Sequence, residues 1–372
     1  MVLIVFLPLI FFFGFQNPYE YPKFFLFVAV SFLLFAFYAL GIIRLQLPLP
    51  AFDLTIKILI LFSAWYFFVD LYGIDPKTSL LGSAIRYQGF LTTISGVLLF
   101  FVTRFVLQRE KKQMVIILRT FFISTTILIA VAIFQKLSMF LYPQLWVPTF
   151  QGRILATMGN PNFLGGYLAV GFPLVWWYLL KKKQSRLAFF MFLCNLIVIF
   201  WTGSQSAILG FFLGVSLMTI NKYKRIPPQV FFGLCLFFSI GIIGGGILNP
   251  SYTLSGRSSS WDNRAIIWQS AISGISKRPL VGYGQENFLL VFPKERHMVV
   301  DNAHNIFLET AISSGIIGLS LFLTILFIVL KNANTQIKIS LIVFVVVASF
   351  NPLSITQIMQ FWILCGMALK DS

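Results

Sequence analysis

The sequence has little charge and almost no histidine. Of 372 residues, 10% are Asp, Glu, Lys or Arg and only two are His. Soluble domains carry about 25% charged residues. A chain that is 58% hydrophobic, with a mean hydropathy of +0.88, has more apolar surface than a globule of this size can hide from water. Water-soluble classes are thereby excluded, and the lipid bilayer is the expected surrounding. Cysteine is scarce too. Cys194, Cys235 and Cys365 fall inside apolar runs with no CxxC pair, so they read as packing residues and imply no disulfide framework. Acidic residues number 11, and neither HExxH nor a ligand-spaced acidic cluster is present, so no metal and no cofactor are expected. The net charge of +17 would suggest nucleic acid in a soluble protein. In a membrane protein it has a plainer origin, the loading of cytoplasmic loops with Lys and Arg, and no nucleic-acid partner is expected.

What is there is a series of apolar runs, at about 2–15, 23–43, 54–72, 89–107, 114–136, 161–180, 186–202, 204–220, 229–248, 304–330, 337–350 and 352–369. A hydrocarbon core of ~30 Å needs about 20 helical residues per crossing. The pattern therefore predicts an all-α polytopic protein of about twelve transmembrane helices, forming one membrane domain over residues 1–372. The first run, MVLIVFLPLIFFFGF, has no basic n-region and no small-residue cleavage site, and reads as a retained membrane segment.

Charge orients these runs. Arg44, Arg104/Arg109/Lys111/Lys112, the run Lys181 to Arg186, Lys222/Lys224/Arg225, Lys331/Lys338 and Lys370 fall in alternate loops, which the positive-inside rule assigns to the cytoplasm. The other loops, including a long one at 249–303, then face outward. Inside that long loop, Asp262 to Ile275 reads as a short amphipathic helix, with Trp261 and Trp268 as interface anchors.

The outward loops hold the unusual residues. Arg86, Arg153, Arg257 and Arg264 lie there against the charge bias. A guanidinium binds phosphate bidentately, so the set could hold a lipid head group or a diphosphate; the plainer reading is solvated or snorkelling arginine. GNPNFLGGYLA places Asn160 at a helix N-cap and Pro161 at the first helical position, leaving free N–H groups that suit an anion. In TGSQSA, Gln205 sits in a tight hairpin, either as a polar cap or as a ligand for a head group or sugar. His304 stands where the long loop meets a membrane run, and an imidazole with an unperturbed pKa near 6.5 suits general-base work. On a continuous helix His304, Leu308, Gly315 and Gly318 would share a face open to a neighbouring helix. Glu309 would lie about 140° away, at ~100° per residue, and would tie down the loop or a neighbour instead. His297 sits in an ordinary charged loop.

The ordered set RYQG (86–89), GRILATMGNPNFLGGYLA (152–169), TGSQSA, the Arg264/Trp268 pair of NRAIIW, LVGYGQENF and HNIFLETAISSGIIG (304–318) resembles the O-antigen ligase and polymerase group of bacterial membrane glycosyltransferases. The resemblance implies a fold similar to the polyprenyl-dependent (GT-C-like) membrane glycosyltransferases. It implies metal-independent transfer of a glycan from undecaprenyl diphosphate to an acceptor hydroxyl at the outer face of the plasma membrane. The acceptor would be a glycan, a lipid or a protein, as in ligases, polymerases and protein O-oligosaccharyltransferases. By the same resemblance His304 activates the acceptor. By the resemblance, too, Arg264 grips the diphosphate; from their own chemistry and placement Arg153, Arg86 and Gln205 are further candidates for the diphosphate, and Asn305, Glu309, Asn160 and Trp268 for supporting the site. The chain departs from the pattern at one place: many members have Ser-Arg where this one has Ser204-Gln205. A competing class is a transporter or lipid-linked-glycan flippase. It predicts intramembrane charges and paired repeats, and the apolar runs here have few charges near their centres.

Overall fold

A computed structural model describes residues 2–44, 53–142, 149–223, 260–292 and 300–369. Among these the chain is all α, with one isolated β-bridge between Phe150 and Arg153. The helices are α1 (Val2–Phe6), α2 (Glu20–Arg44), α3 (Leu54–Leu71), α4 (Pro76–Leu81), α5 (Phe90–Arg109), α6 (Gln113–Leu141), α7 (Pro161–Lys181), α8 (Ser185–Thr202), α9 (Gln205–Tyr223), α10 (Ser260–Lys277), α11 (Phe288–Val291), α12 (Ile306–Asn332), α13 (Thr335–Ala348) and α14 (Ile355–Ala368). Seven of them, α2, α3, α5, α6, α7, α8 and α12, are long and apolar enough to cross a bilayer, and α9, α13 and α14 contain shorter apolar helices. The protein is thus a polytopic membrane protein. The predicted run at 229–248 lies outside the described residues.

The first predicted run does not form a crossing helix. Only Val2–Phe6 is helical, because Pro8 lacks an N–H and disfavours helical geometry in the residue before it. The chain turns instead. Leu3, Ile4 and Leu7 are buried against α6, and the Pro8 carbonyl accepts from the Thr157 hydroxyl at 2.7 Å. The junctions near 203 and 351 are true breaks. Gly203 ends α8 in the left-handed conformation, and Ser354 starts α14 with a reciprocal capping box to Gln357.

The most enclosed of the seven long helices, α7, packs against α6, α8, α9 and α13. Apolar side chains on these helices form one continuous core. A smaller core lies between α10, α11 and the start of α12, built on Ile267, Ala271, Tyr283, Phe288 and Ile312.

The loops segregate by chemistry. Arg44, Arg109, Lys181 and Lys331 lie in the last turns of their helices, and Arg104 pairs with Asp53 at the start of α3. At the opposite end the remaining loops are stitched together. The Ile355 N–H donates to Glu20 Oε2 at 2.9 Å, Lys23 Nζ to the Thr157 carbonyl at 2.8 Å, and the Ile74 N–H to the Tyr283 carbonyl at 3.0 Å. Segments up to 335 residues apart in sequence therefore meet at one polar end.

Candidate functional site

The centre of that end is a broken helix. α12 is interrupted at Gly315, where φ is 68° and ψ is −176°. The break releases carbonyls that an unbroken helix would use internally. The loop after α10 takes them: the Tyr283 N–H donates to the Ile312 carbonyl and the Gly284 N–H to the Ser313 carbonyl, each at 2.9 Å. The Pro279 carbonyl in turn accepts from the Ile316 N–H at 2.8 Å. The GYG turn is thus inserted into the break. This corrects the continuous-helix expectation. Gly315 faces the backbone of Leu280 rather than another helix, whereas Gly318 does lie against Trp65 of α3.

His304 is not on the helix either. Asn305 is the N-cap, its Oδ1 accepting from the Phe307 and Leu308 N–H groups at 2.9 and 3.2 Å. His304 precedes it with φ at 53°, a left-handed conformation that costs a non-glycine residue energy. Two hydrogen bonds hold it there. The His304 N–H donates to Asn302 Oδ1 at 2.7 Å, and the Ala303 N–H donates to Glu309 Oε2 at 2.7 Å. Burial lowers the imidazole pKa to about 4, with Arg86 and Arg264 also lowering it and Asp301 opposing them. The ring is therefore neutral at pH 7.

Arg264 projects from α10 to the α13–α14 junction, its Nε donating to the Phe350 carbonyl at 3.2 Å and Nη2 to Asn351 Oδ1 at 3.4 Å. Asn351 reaches on to the Ser206 hydroxyl, and Ser206 lies 3.4 Å from Ser204 Oγ. Next to that hairpin, Arg153 Nε donates to the Thr202 carbonyl and Nη2 to Asn162 Oδ1 at 3.0 Å. Asn160 caps α7 there. Gln205, half-buried, is the first residue of α9. Arg153, Ser206, Asn351 and Arg264 so form a polar line, and His304 lies within electrostatic range of Arg264 at its end. Trp268 packs its ring 6.4 Å from Phe350 and joins the small core, so it is a packing residue beside Arg264 rather than an interface anchor.

Arg86 stands apart. It is buried, with Nε 3.5 Å from Glu286 Oε1, and its Nη2 donates to Gln88 Oε1 at 2.8 Å and to the Leu353 carbonyl at 3.3 Å. Burial pushes the Glu286 carboxyl above the usual carboxylate range, against the pull of Arg86. Glu286, Asn302, Asn351 and Gln88 were not singled out by the sequence. The available signals were an acid inside a Gly-rich turn, in a chain with 11 acids, and an Asn-Pro between two apolar runs. Among the described residues no group of three His, Cys, Asp or Glu side chains is arranged to hold a metal ion.

Comparison with known proteins gives these residues a context. The model of the O-antigen ligase family matches residues 190–323, from α8 into α12. The General O-oligosaccharyltransferase of Acinetobacter baylyi is 25% identical over 272 residues, which is 65% of this chain and 46% of the relative. The chain's match thus spans about half of that protein. A Rickettsia prowazekii protein named "Putative polysaccharide ligase" is 24% identical over 306 residues, 77% of this chain and 70% of its own length, and its Rickettsia typhi counterpart gives the same figures. No solved structure matches the chain. The matched segment carries Arg264, the GYG turn and His304, so the part of the chain that holds these residues is the part similar to the O-antigen ligase family.

Proposed function

We propose that the protein is a membrane glycosyltransferase that moves a glycan from undecaprenyl diphosphate to an acceptor hydroxyl, at the outer face of the plasma membrane. The observation that carries this reading is a neutral imidazole within electrostatic reach of Arg264, which stands in a polar line that continues to Arg153. His304 takes the proton of the acceptor hydroxyl. The freed oxygen forms the bond to the anomeric carbon as the bond from that carbon to the diphosphate oxygen breaks, and the diphosphate leaves with the electron pair. Arg264 and Arg153 stabilise the charge that develops on it, an electrostatic role that is worth most in a site that excludes water.

The same electrostatics couple the two substrates. With the site free of anions, Arg86 and Arg264 disfavour a protonated imidazole. A diphosphate beside Arg264 offsets that field and makes His304 a stronger base. Proton removal then follows donor binding. The basic loops at the other end of the bundle favour a cytoplasmic location for that end, and an outward one for this site.

The test is transfer of labelled glycan from undecaprenyl diphosphate in proteoliposomes, against a panel of lipid, glycan and protein acceptors. Wild type should transfer, His304→Ala should lose roughly 10²–10⁴-fold in turnover, and Arg264→Ala should raise the donor KM. Equal turnover in His304→Ala would remove the base assignment. Labelled lipid that crosses the bilayer without any glycosylated acceptor would replace the transferase with a flippase.

A further inference from the structure

Beside the His304 loop, and distinct from the arginine line, a cavity of about 110 Å³ descends between α3, α5, α12 and α14. Ten of its eleven lining side chains are polar, which is unusual inside a membrane bundle and decides against a lipid tail as occupant. Three loops roof it, contributing Gln88, Gln285 with Glu286, and Asn302, while Glu309 and Thr310 line it from α12. Each of those loops holds a non-glycine residue at positive φ: Tyr87 at 55°, Glu286 at 60° and His304 at 53°. Backbone strain of this kind persists where surrounding structure enforces it, and it clusters at ligand sites. Here it aims three loops at one space.

The lining also selects by charge. It presents two carboxyl groups and no cation, and the guanidinium next to them, Arg86, is committed to Glu286, Gln88 and the Leu353 carbonyl. A diphosphate would find no positive charge in the lining to hold it. A neutral ligand rich in hydroxyl donors would be matched, because carboxylates and amide oxygens are acceptors and several of them converge. A single serine or threonine side chain would bring one hydroxyl and fill little of this space. An apolar cavity of roughly 150 Å³ holds benzene, so this one admits the edge of one sugar ring and not a disaccharide.

We infer that this cavity is a saccharide subsite, which seats the edge of the acceptor sugar so that its neighbouring hydroxyl lies at His304. The inference rests on the transferase reading and makes the acceptor a glycan rather than a protein side chain.

The experiment uses purified full-length protein and saturation-transfer NMR with methyl α-glucoside, methyl β-galactoside and methyl β-N-acetylglucosaminide, with the proteoliposome assay run in parallel. Variants are Thr310→Val and Gln285→Met, with Ser313→Ala in reserve if either fails to fold by thermal unfolding. At least one methyl glycoside should bind wild type. Each variant should weaken that binding roughly tenfold, the effect of leaving one hydroxyl unpaired, and should raise the acceptor KM while the donor KM stays constant. If no glycoside binds and the variants transfer like wild type, the subsite is overturned and the transferase stands. If the donor KM rises instead, the occupant is the donor sugar and the acceptor assignment is overturned. Glycoside binding that the variants weaken, in a protein that transfers nothing, would sustain the subsite and remove the transferase reading.

Discussion

Replacing Gly315 by alanine should unseat the outer loop while leaving the helical bundle formed. Gly315 adopts φ 68° and ψ −176°, a region open essentially to glycine alone, so an alanine there costs about 1–3 kcal/mol in backbone strain. Its Cβ would also collide with the carbonyl of Leu280. Relief of the collision requires the GYG loop to back out of the broken helix, with loss of the bonds from Tyr283 to Ile312, Gly284 to Ser313 and Ile316 to Pro279. At about 1 kcal/mol net for each bond, the whole change amounts to roughly 4–6 kcal/mol. Gly152 is the control. It too has a positive φ, 75°, but a Cβ there meets nothing within 4 Å, so Gly152→Ala should cost only the strain, about 1–3 kcal/mol. Thermal unfolding in detergent, with hydrogen exchange at 279–285 and 312–316, separates the two. Gly315→Ala should lower the midpoint well beyond Gly152→Ala and should deprotect both segments. Equal midpoints and unchanged exchange would refute the inserted-turn argument.

Other expectations concern the charges. Arg86→Gln leaves Glu286 buried without its cation, so stability should fall by about 3–5 kcal/mol. Arg86→Gln combined with Glu286→Gln should recover most of the loss, read as the unfolding midpoint. The folded pKa of His304, about 4, is below its ordinary 6.5, so the unfolded chain binds more protons between those values. Its contribution is therefore present above pH 6.5 and is lost as pH falls toward 4. In kinetics, the acid limb of kcat/KM for the donor should lie near pH 4, and that of kcat should move upward as bound diphosphate offsets the arginines. Identical limbs would remove the coupling of donor binding to basicity. Gln205→Arg should lower the donor KM, since it adds a cation at the hairpin next to Arg153; an unchanged or raised KM would place the hairpin away from the diphosphate.

The sequence made the helices legible because apolar runs of bilayer length have one economical solution. Pairing of the chemistry-bearing loops was legible through charge alternation, which sorted Arg86, Arg153, Arg264 and His304 to one end. Hydropathy could not see Pro8 ending the first run, since a proline among Leu and Phe barely changes the average. Nor could helical spacing place His304. The phase count assumed a continuous helix, and the left-handed turn at His304 and the break at Gly315 both defeat it. Arg86 and Glu286 illustrate a further limit: the sequence gives two opposite charges 200 residues apart, and only the fold shows them in one buried pair.

The polar end also has a timetable. Glu20 waits for the Ile355 N–H, Arg86 and Gln88 for the Leu353 carbonyl, and Arg264 for Phe350 and Asn351. All of these partners belong to the segment that leaves the ribosome last among the described helices. A nascent chain can therefore thread α2 through α12 into the bilayer without possessing a finished centre. The α13–α14 junction and the start of α14 supply the contacts that complete it, so a chain that stops before them lacks the partners of Glu20, Arg86, Gln88 and Arg264 described above.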